Sequence, residues 1–352
     1  MPVLNNIMIE AKEGNIRLIT TNLEIGIICQ VRGKIAEEGV FTVDSKIISD
    51  YVSLLPGRKV INIEKKESSL IVEADNYKTK IMGQGAEEFP LIPVIEKREF
   101  YSVKVEDFKR ALAQVVFAVS ANETRIELSG VLFDFGGDRL TLAATDGYRL
   151  AEKEIKLNGG QERKRIIVPA KTLQEVIRII SGTKEEGLGG GEEIRFYLSD
   201  NQILFTIGNI DLVSRLIEGQ YPDYKQIIPS AKKTAAVINR AELIRAVKAS
   251  SLFSKTGIND INLDFPRGKN EVVITSASGQ AGENTVRLEA QTDGDDNGIV
   301  INYRYLLDGL NNAESENIQL EIVDSNTACL LKPIIGKEET EKFLYIIMPI
   351  KQ

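Results

Sequence analysis

The stretch LITTNLEIGI at 18–27 returns as LAATDGYRLA at 142–151. In each, an apolar run climbs into Thr-Asn or Thr-Asp, and a second half leaves the turn. A second block follows both: VFTVDSKIISDYVSLL (40–55) matches RIIVPAKTLQEVIRII (165–180). A weaker third copy reads VVITSASGQAGEN (272–284), then IVINYRYLLDGL (299–310). The spacing holds: Asn22 to Val43 is 21 residues, Asp146 to Val168 is 22, and Ser278 to Ile301 is 23. Self-similarity at near-constant spacing marks one supersecondary unit used three times.

The copies also close alike. GAEEFPLIP (85–93) parallels EGQYPDYKQIIP (218–229), and the polar links VIEKRE (94–99) and SAKKTA (230–235) follow. Boundaries near 97 and 231 give domains 1–96, 97–230 and 231–352. Within the copies the periods alternate. Phe108, Leu112, Val115 and Val119 recur at helical spacing, as do Leu173, Val176, Ile177 and Ile180. Leu243, Ala246 and Val247 mark a third helix, and Leu306, Leu307 and Leu310 a fourth. Between them lie β-rich runs such as IRFYLSD, ILFTIG, VSRLIEG and IQLEIVD. Strands of this kind need helices to cover them. The class is α+β, in three similar domains.

The first copy is short. In domain two, 28 residues separate Tyr101 from SGVLFDF (129–135) and hold a helix, whereas NNIMIEA (5–11) begins almost at Met1. Domain one therefore lacks its first strand and amphipathic helix. The shortfall leads to three expectations. Met1 is an internal start or a fragment boundary, the 352-residue chain is mostly monomeric, and domain one is its least protected part.

Composition narrows the function. There is no histidine, which removes Ser-His-Asp and Cys-His chemistry and imidazole metal sites. Cys29 and Cys329 form no CxxC pair, which fits a reducing cytoplasm and argues against zinc. No apolar run approaches the ~18 residues of a membrane span, and no basic region followed by an apolar core opens the chain. The net charge of −7 opposes whole-surface attraction to nucleic acid but permits a local basic face. GLGGGE (187–192) lacks the GxGxxG and GxxxxGK[ST] patterns and reads as a loop after a helix. Asp146, followed by Gly147, is either a catalytic carboxylate at a strand end or the former of a tight turn.

Three tandem repeats carrying LAATDGYRLA, IIVPAKTL, GQYPDY and a terminal YIIMPIKQ, in this order, resemble the bacterial DNA polymerase III beta subunits, the sliding clamps of replication. The resemblance spans essentially the whole chain, apart from the missing opening segment, which against the family is about 25 residues. It implies a head-to-tail homodimeric ring of six domains, if the N-terminus is complete, with helices lining the hole and antiparallel sheets outside. Double-stranded DNA would pass through without base reading. Partners would be the DNA polymerase III alpha subunit, the clamp loader, and other polymerases and repair proteins, engaged through short linear peptides. No catalysis, cofactor or metal is implied.

Carried over by motif, the peptide groove comprises Thr145, Gly147, Tyr148, Arg149 and Leu150, with Arg125 and Leu128 on the preceding strand. Pro222, Gln226 and Ile227 join it, then Asn326 and Ala328 on a domain-three strand, and Met348, Pro349 and Ile350. Leu150, Ile227, Met348 and Pro349 offer an apolar floor to an extended peptide of about five residues with Leu or Phe anchors. Arg125 and Arg149 can hold a polar peptide end, and Asp146 then reads as a turn-former. The terminal MPIKQ would otherwise fray, which favours a binding role.

Candidate DNA-lining cations are Lys104, Lys109, Arg110, Lys171, Arg178, Arg240, Arg245, Lys248 and Arg304; each could equally sit on a plain solvated helix face. The dimer contact is expected between Lys78, Lys80 and Ile81 and the segment Leu252–Phe253. Two other functions compete. One is a hydrolase using the carboxylates Glu87 and Glu88, or Asp134 and Asp138. The other is a repeat scaffold that binds proteins without encircling DNA.

Overall fold

The computed structural model describes residues 2–57, 60–122, 124–160, 162–185, 192–334 and 342–351. The loop GLGGGE lies, but for Glu192, outside the described residues. The chain groups into two compact units, Met1–Val105 with Glu175–Leu216, and Glu106–Gln174 with Ile217–Gln352. Its helices are α1 (Ser45–Ser53), α2 (Val105–Val115), α3 (Ala170–Glu185), α4 (Arg240–Ser251) and α5 (Tyr303–Asn312).

The first unit is built on antiparallel strands. Strand Ile210–Arg215 of domain two pairs with Ile25–Val31 of domain one, from Ile210 opposite Cys29 to Ser214 opposite Ile25. The order then continues through Asn15–Thr21, Asn6–Lys12, Gly39–Asp44, Tyr77–Gln84 and Ser69–Ala74 to Asn62–Lys66. Phe41, Val43, Ile48, Leu70, Val72 and Ile81 form the domain-one core. Among the described residues domain one holds one α-helix, α1; a single 3-10 turn, Pro2–Asn5, precedes its first strand.

In the second unit a nine-stranded sheet crosses from domain two into domain three. Strand Arg149–Lys156 pairs with Phe343–Ile347, from Arg149 opposite Ile347 to Lys153 opposite Phe343. A separate four-stranded sheet of domain three packs against α4.

The repeat is visible in hydrogen bonds. Thr145 Oγ1 donates to the Arg149 carbonyl at 2.6 Å and accepts from Gly147 N at 3.0 Å. Thr21 Oγ1 donates to the Ile25 carbonyl at 2.9 Å and accepts from Leu23 N at 3.1 Å. Asp146 Oδ1 accepts from the amides of Tyr148 and Arg149, as Asn22 Oδ1 does from Glu24 and Ile25. Both turns need a left-handed residue, Gly147 at φ 91° and Leu23 at φ 75°; glycine takes that conformation without the steric cost that Leu23 bears. The second block repeats in part. In the first and third copies its strand ends in an Asx residue whose side chain caps the next helix, Asp44 on α1 and Asn302 on α5; Pro169 holds that place before α3, and outside the block Asn239 caps α4 in the same way. Each such cap is worth about 1 kcal/mol.

Candidate binding groove

Side chains alternate across a strand, so the hairpin 139–156 has two faces. Leu150 is on one face with its neighbour across the domain junction, Ile346. There Leu128, Leu132, Ala143, Leu150, Ile167, Tyr221, Tyr224, Ala328, Leu330 and Ile346 make a buried apolar cluster, with Ile217, Ile228, Leu344 and Met348 packed around it. Domains two and three both contribute. The rim is exposed and apolar: Tyr148 is 65% and Ile227 41% exposed.

The segment Tyr221–Tyr224 fastens one wall. Thr145 N donates to Tyr221 Oη at 3.1 Å, and the Tyr224 hydroxyl donates to Glu152. Burial, for Tyr224 reinforced by Glu152, raises both hydroxyl pKa values above the ordinary 10, so both act as protonated hydrogen-bonding groups. Their rings meet edge to face, 6.5 Å between centroids. Pro222 lies between them in the chain, and Gln226 Nε2 donates to Asp223 at 3.0 Å. The opposite wall is the chain end. Met348 N donates to the Tyr148 carbonyl at 2.8 Å and Ile350 N to the Val300 carbonyl at 2.8 Å, with Pro349 between. Residues 348–350 are thus tied into the fold. Strand Phe343–Ile347 stops one residue before Met348.

Several expected positions differ. Arg125 and Leu128 belong to a bend and a 3-10 turn, Ile126–Ser129, before strand Gly130–Gly136 rather than on it. Arg125 is half exposed and pairs with Glu127 at 3.0 Å. Asn326 and Ala328 precede strand Cys329–Ile334, in a turn where Asp324 Oδ1 accepts from Asn326 N and Thr327 N, each at 2.9 Å. Those amide bonds hold the Asp324 carboxyl below the usual range.

The main correction concerns Arg149. It lies on the face opposite Leu150, and its guanidinium is spent internally. Nε donates to Asp146 Oδ2 at 2.9 Å, Nη1 to Asp308, and Nη2 to the Phe117 carbonyl at 2.9 Å. Burial pulls its pKa down, but Tyr345, Asp146 and Asp308 outweigh that and raise it. Arg149 offers no free fork to a peptide end. Alternation from Leu150 was the signal available in sequence; Asp308, Phe117, Tyr305 and Tyr345 carried none.

The DNA-facing candidates divide. Arg240 is a structural residue, donating to the carbonyls of Ser315 at 2.8 Å and Leu310 at 3.0 Å. Arg110 pairs with Glu314, Arg178 with Glu175 and Arg245 with Glu242. Arg304 lies over its neighbour Tyr303. Among the described residues Lys104, Lys109, Lys171 and Lys248 make no ion pair; Lys109 is half-buried and the other three are exposed.

At the expected dimer contact, Ile81 is a core residue of domain one rather than a surface contact. Lys78 pairs with Glu73 at 3.2 Å, Lys80 is exposed, Leu252 is 73% exposed and Phe253 half-buried. Of the carboxylates weighed for hydrolysis, Asp134 is nearly buried and held by Arg163 and Arg165 at 3.4 and 3.5 Å. Among the described residues no group of acidic or cysteine side chains could hold a metal ion, and no helix is long and apolar enough to cross a membrane.

Comparison with known proteins agrees along the whole chain. Family models of the DNA polymerase III beta subunit match at residues 1–93 for the N-terminal domain, 102–223 for the central domain and 225–351 for the C-terminal domain. The beta sliding clamps of Staphylococcus epidermidis and Staphylococcus aureus are each 28% identical over 362 residues, covering 100% of this chain and 92% of the relative. The DNA polymerase III beta subunit of Thermotoga maritima superposes with a TM-score of 0.90 at 26% identity, covering 100% of this chain and 92% of that one. The Pseudomonas aeruginosa sliding clamp bound to griselimycin gives 0.91 at 25% identity, with the same coverage. The chain belongs to the DNA polymerase III beta-subunit family and has its three-domain clamp fold. It is a DNA replication processivity clamp, an accessory subunit without catalysis of its own.

Proposed function

We propose that this clamp, with domains 1–96, 97–230 and 231–352, closes as a homodimeric ring around duplex DNA when its N-terminus is complete, and tethers its partners through the groove on the domain two–three junction. The observation that carries the groove is one apolar floor, Leu150, Ile346 and Ala328, bordered by the exposed rim of Tyr148 and Ile227. Extended segments of the DNA polymerase III alpha subunit, the clamp loader, and other polymerases and repair proteins would insert apolar anchors there. Two open strand edges support the ring. Residues 77–82 pair on one side only, with 69–74, and Gly282–Glu289 pairs only with Glu271–Ser278 among the described strands. Such edges recruit a second strand. The site of action is the cytoplasm.

We propose griselimycin, to which the Pseudomonas clamp is bound, as an occupant of this groove, and calorimetry with it tests the reading. Met348→Ala with Ile227→Ala should cost ~2 kcal/mol or more of binding; unchanged affinity sinks the assignment. Retention on closed circular but not on linear DNA tests encirclement. Replacing Lys109, Lys171 and Lys248 with Ala should weaken DNA retention at low salt and flatten its salt dependence on every sequence alike. Arg240→Ala should act on stability instead, because its donors end a helix. Retention on neither DNA form would favour a scaffold that binds only proteins.

A further inference from the structure

We propose that Arg149 is a positioning residue of the groove. Its guanidinium pins the 145–150 turn of domain two to α5 of domain three and to the end of α2, and so sets where Leu150 and Tyr148 stand. This rests on the groove reading above.

The first support is internal to the chain. The equivalent turn at 21–25 has the same four hydrogen bonds with Ile25 in the place of Arg149. Arginine is therefore not needed to make the turn. The second is a paired difference. Asn22 stands where Asp146 does, and an amide offers one acceptor oxygen, whereas the second carboxylate oxygen of Asp146 is the one that meets Arg149 Nε. Acid and arginine occur together in one copy, and neither occurs in the other.

The third support is where the fork reaches. Asp308 is 159 residues away on α5, and Phe117 lies in the 3-10 turn that follows α2. Neither element carries a groove residue. The guanidinium also lies over two rings, 4.8 Å from Tyr305 and 5.6 Å from Phe117. Tyr305 in turn stacks on Tyr148 with the planes 16° apart. α5 comes this close because Gly309 leaves room for Tyr345: a Cβ there would be 2.3 Å from the ring. A planar fork satisfied on three sides holds one geometry, which a lysine cannot reproduce. Leu150, the next residue, projects from the opposite face into the floor, so fixing Arg149 fixes it.

The test uses the full chain with Arg149→Gln, Asp308→Asn, the double variant and Arg149→Lys. Griselimycin affinity is read by calorimetry, and the Tyr148 ring signals by NMR of the free protein, assigned with Tyr148→Phe. Each of Arg149→Gln and Asp308→Asn should weaken binding about tenfold, and the double variant no further. Arg149→Lys should not restore affinity. The ring-current shift of Tyr148 should be lost in all four proteins. Wild-type affinity in Asp308→Asn beside a loss in Arg149→Gln would mean that Arg149 touches the ligand directly, and would overturn the proposal. So would an unmoved Tyr148 signal, or full affinity in Arg149→Lys. Failure of the unaltered protein to bind griselimycin would sink the groove reading instead, and the Tyr148 signals would still decide for or against the pin.

Discussion

The chain joins its domains twice by the same device, and the groove proposed above lies on one junction only. At the first, Ile25–Val31 pairs with Ile210–Arg215; at the second, Arg149–Lys156 pairs with Phe343–Ile347. Each pairing spans five residues, and each follows the same Thr-Asx turn. The difference in packing lies one residue after Ile25 and Arg149. Gly26 stands where Leu150 stands, and a Cβ on Gly26 would come within 2.7 Å of Ile92. The linker of the first copy uses that room: Ile92 and Ile95 pack with Tyr197, Leu204 and Val213. At the second junction Leu150 fills the space as floor, and the matching linker residue, Tyr224, reaches Glu152. A duplicated unit thus fills one junction with its own linker, whereas at the other Leu150 fills the floor and, on the proposed reading, an outside segment docks above it.

Four experiments can break or sharpen this contrast. The largest effect is expected from Leu150→Ala. Leu150 is fully buried, so its truncation should cost about 3 kcal/mol of unfolding free energy, together with groove affinity. Urea denaturation and calorimetry on one sample read both, and a stable variant that no longer binds would mean Leu150 is a contact rather than the floor.

Next is Gly26→Leu, which gives the first junction the side chain of the second. Overpacking against Ile92 should cost about 2 kcal/mol, seen as faster amide exchange along 25–31 and 89–95. Adding Ile92→Ala should recover part of it. No loss at all would show that the linker yields freely.

Arg149→Ile copies the first turn into the second and leaves Asp146 Oδ2 and Asp308 without their partner. We expect about 1.5 kcal/mol of destabilisation, of which Asp146→Asn recovers about 0.5 by removing the stranded charge. If the double variant is the less stable of the two, the Asn22–Ile25 pairing does not transfer.

The smallest effect is electrostatic. Glu154 bridges the second junction, with Lys342 and Arg139 each at 2.5 Å. Burial raises its pKa, but Lys342 and Arg139 lower it more, so the folded value falls below the ordinary 4.5. A depressed carboxylate adds stability that is complete above its ordinary pKa and disappears as pH falls through the folded value. Glu154→Gln should therefore lower the melting temperature at pH 7 by the equivalent of about 0.5 kcal/mol, since both cations are half exposed. The gap should close as the pH falls through that lowered folded value. A gap that widens on acidification would show that the pair is not formed.

Local chemistry was legible in the sequence. The Thr-Asx turns, the Asx caps and the helical spacings depend on side chains that reach amides two or three residues on, or neighbours on one helix face, so the order of residues determines them and their repetition. Asp146 is a turn-former for that reason. What the sequence could not carry is the pairing of Arg149–Lys156 with Phe343–Ile347. Residues so far apart in the chain leave no mark on each other's pattern, and only that register puts Leu150 beside Ile346 and Arg149 on the other face. The same holds for Arg240, whose donors end on Ser315 and Leu310, and for Ile81, an alternating strand residue that turns inward. Sequence determined which turns, caps and strands exist; the tertiary structure decided which face each side chain meets and which cations remain free, because burial and pairing are set by contacts between distant segments.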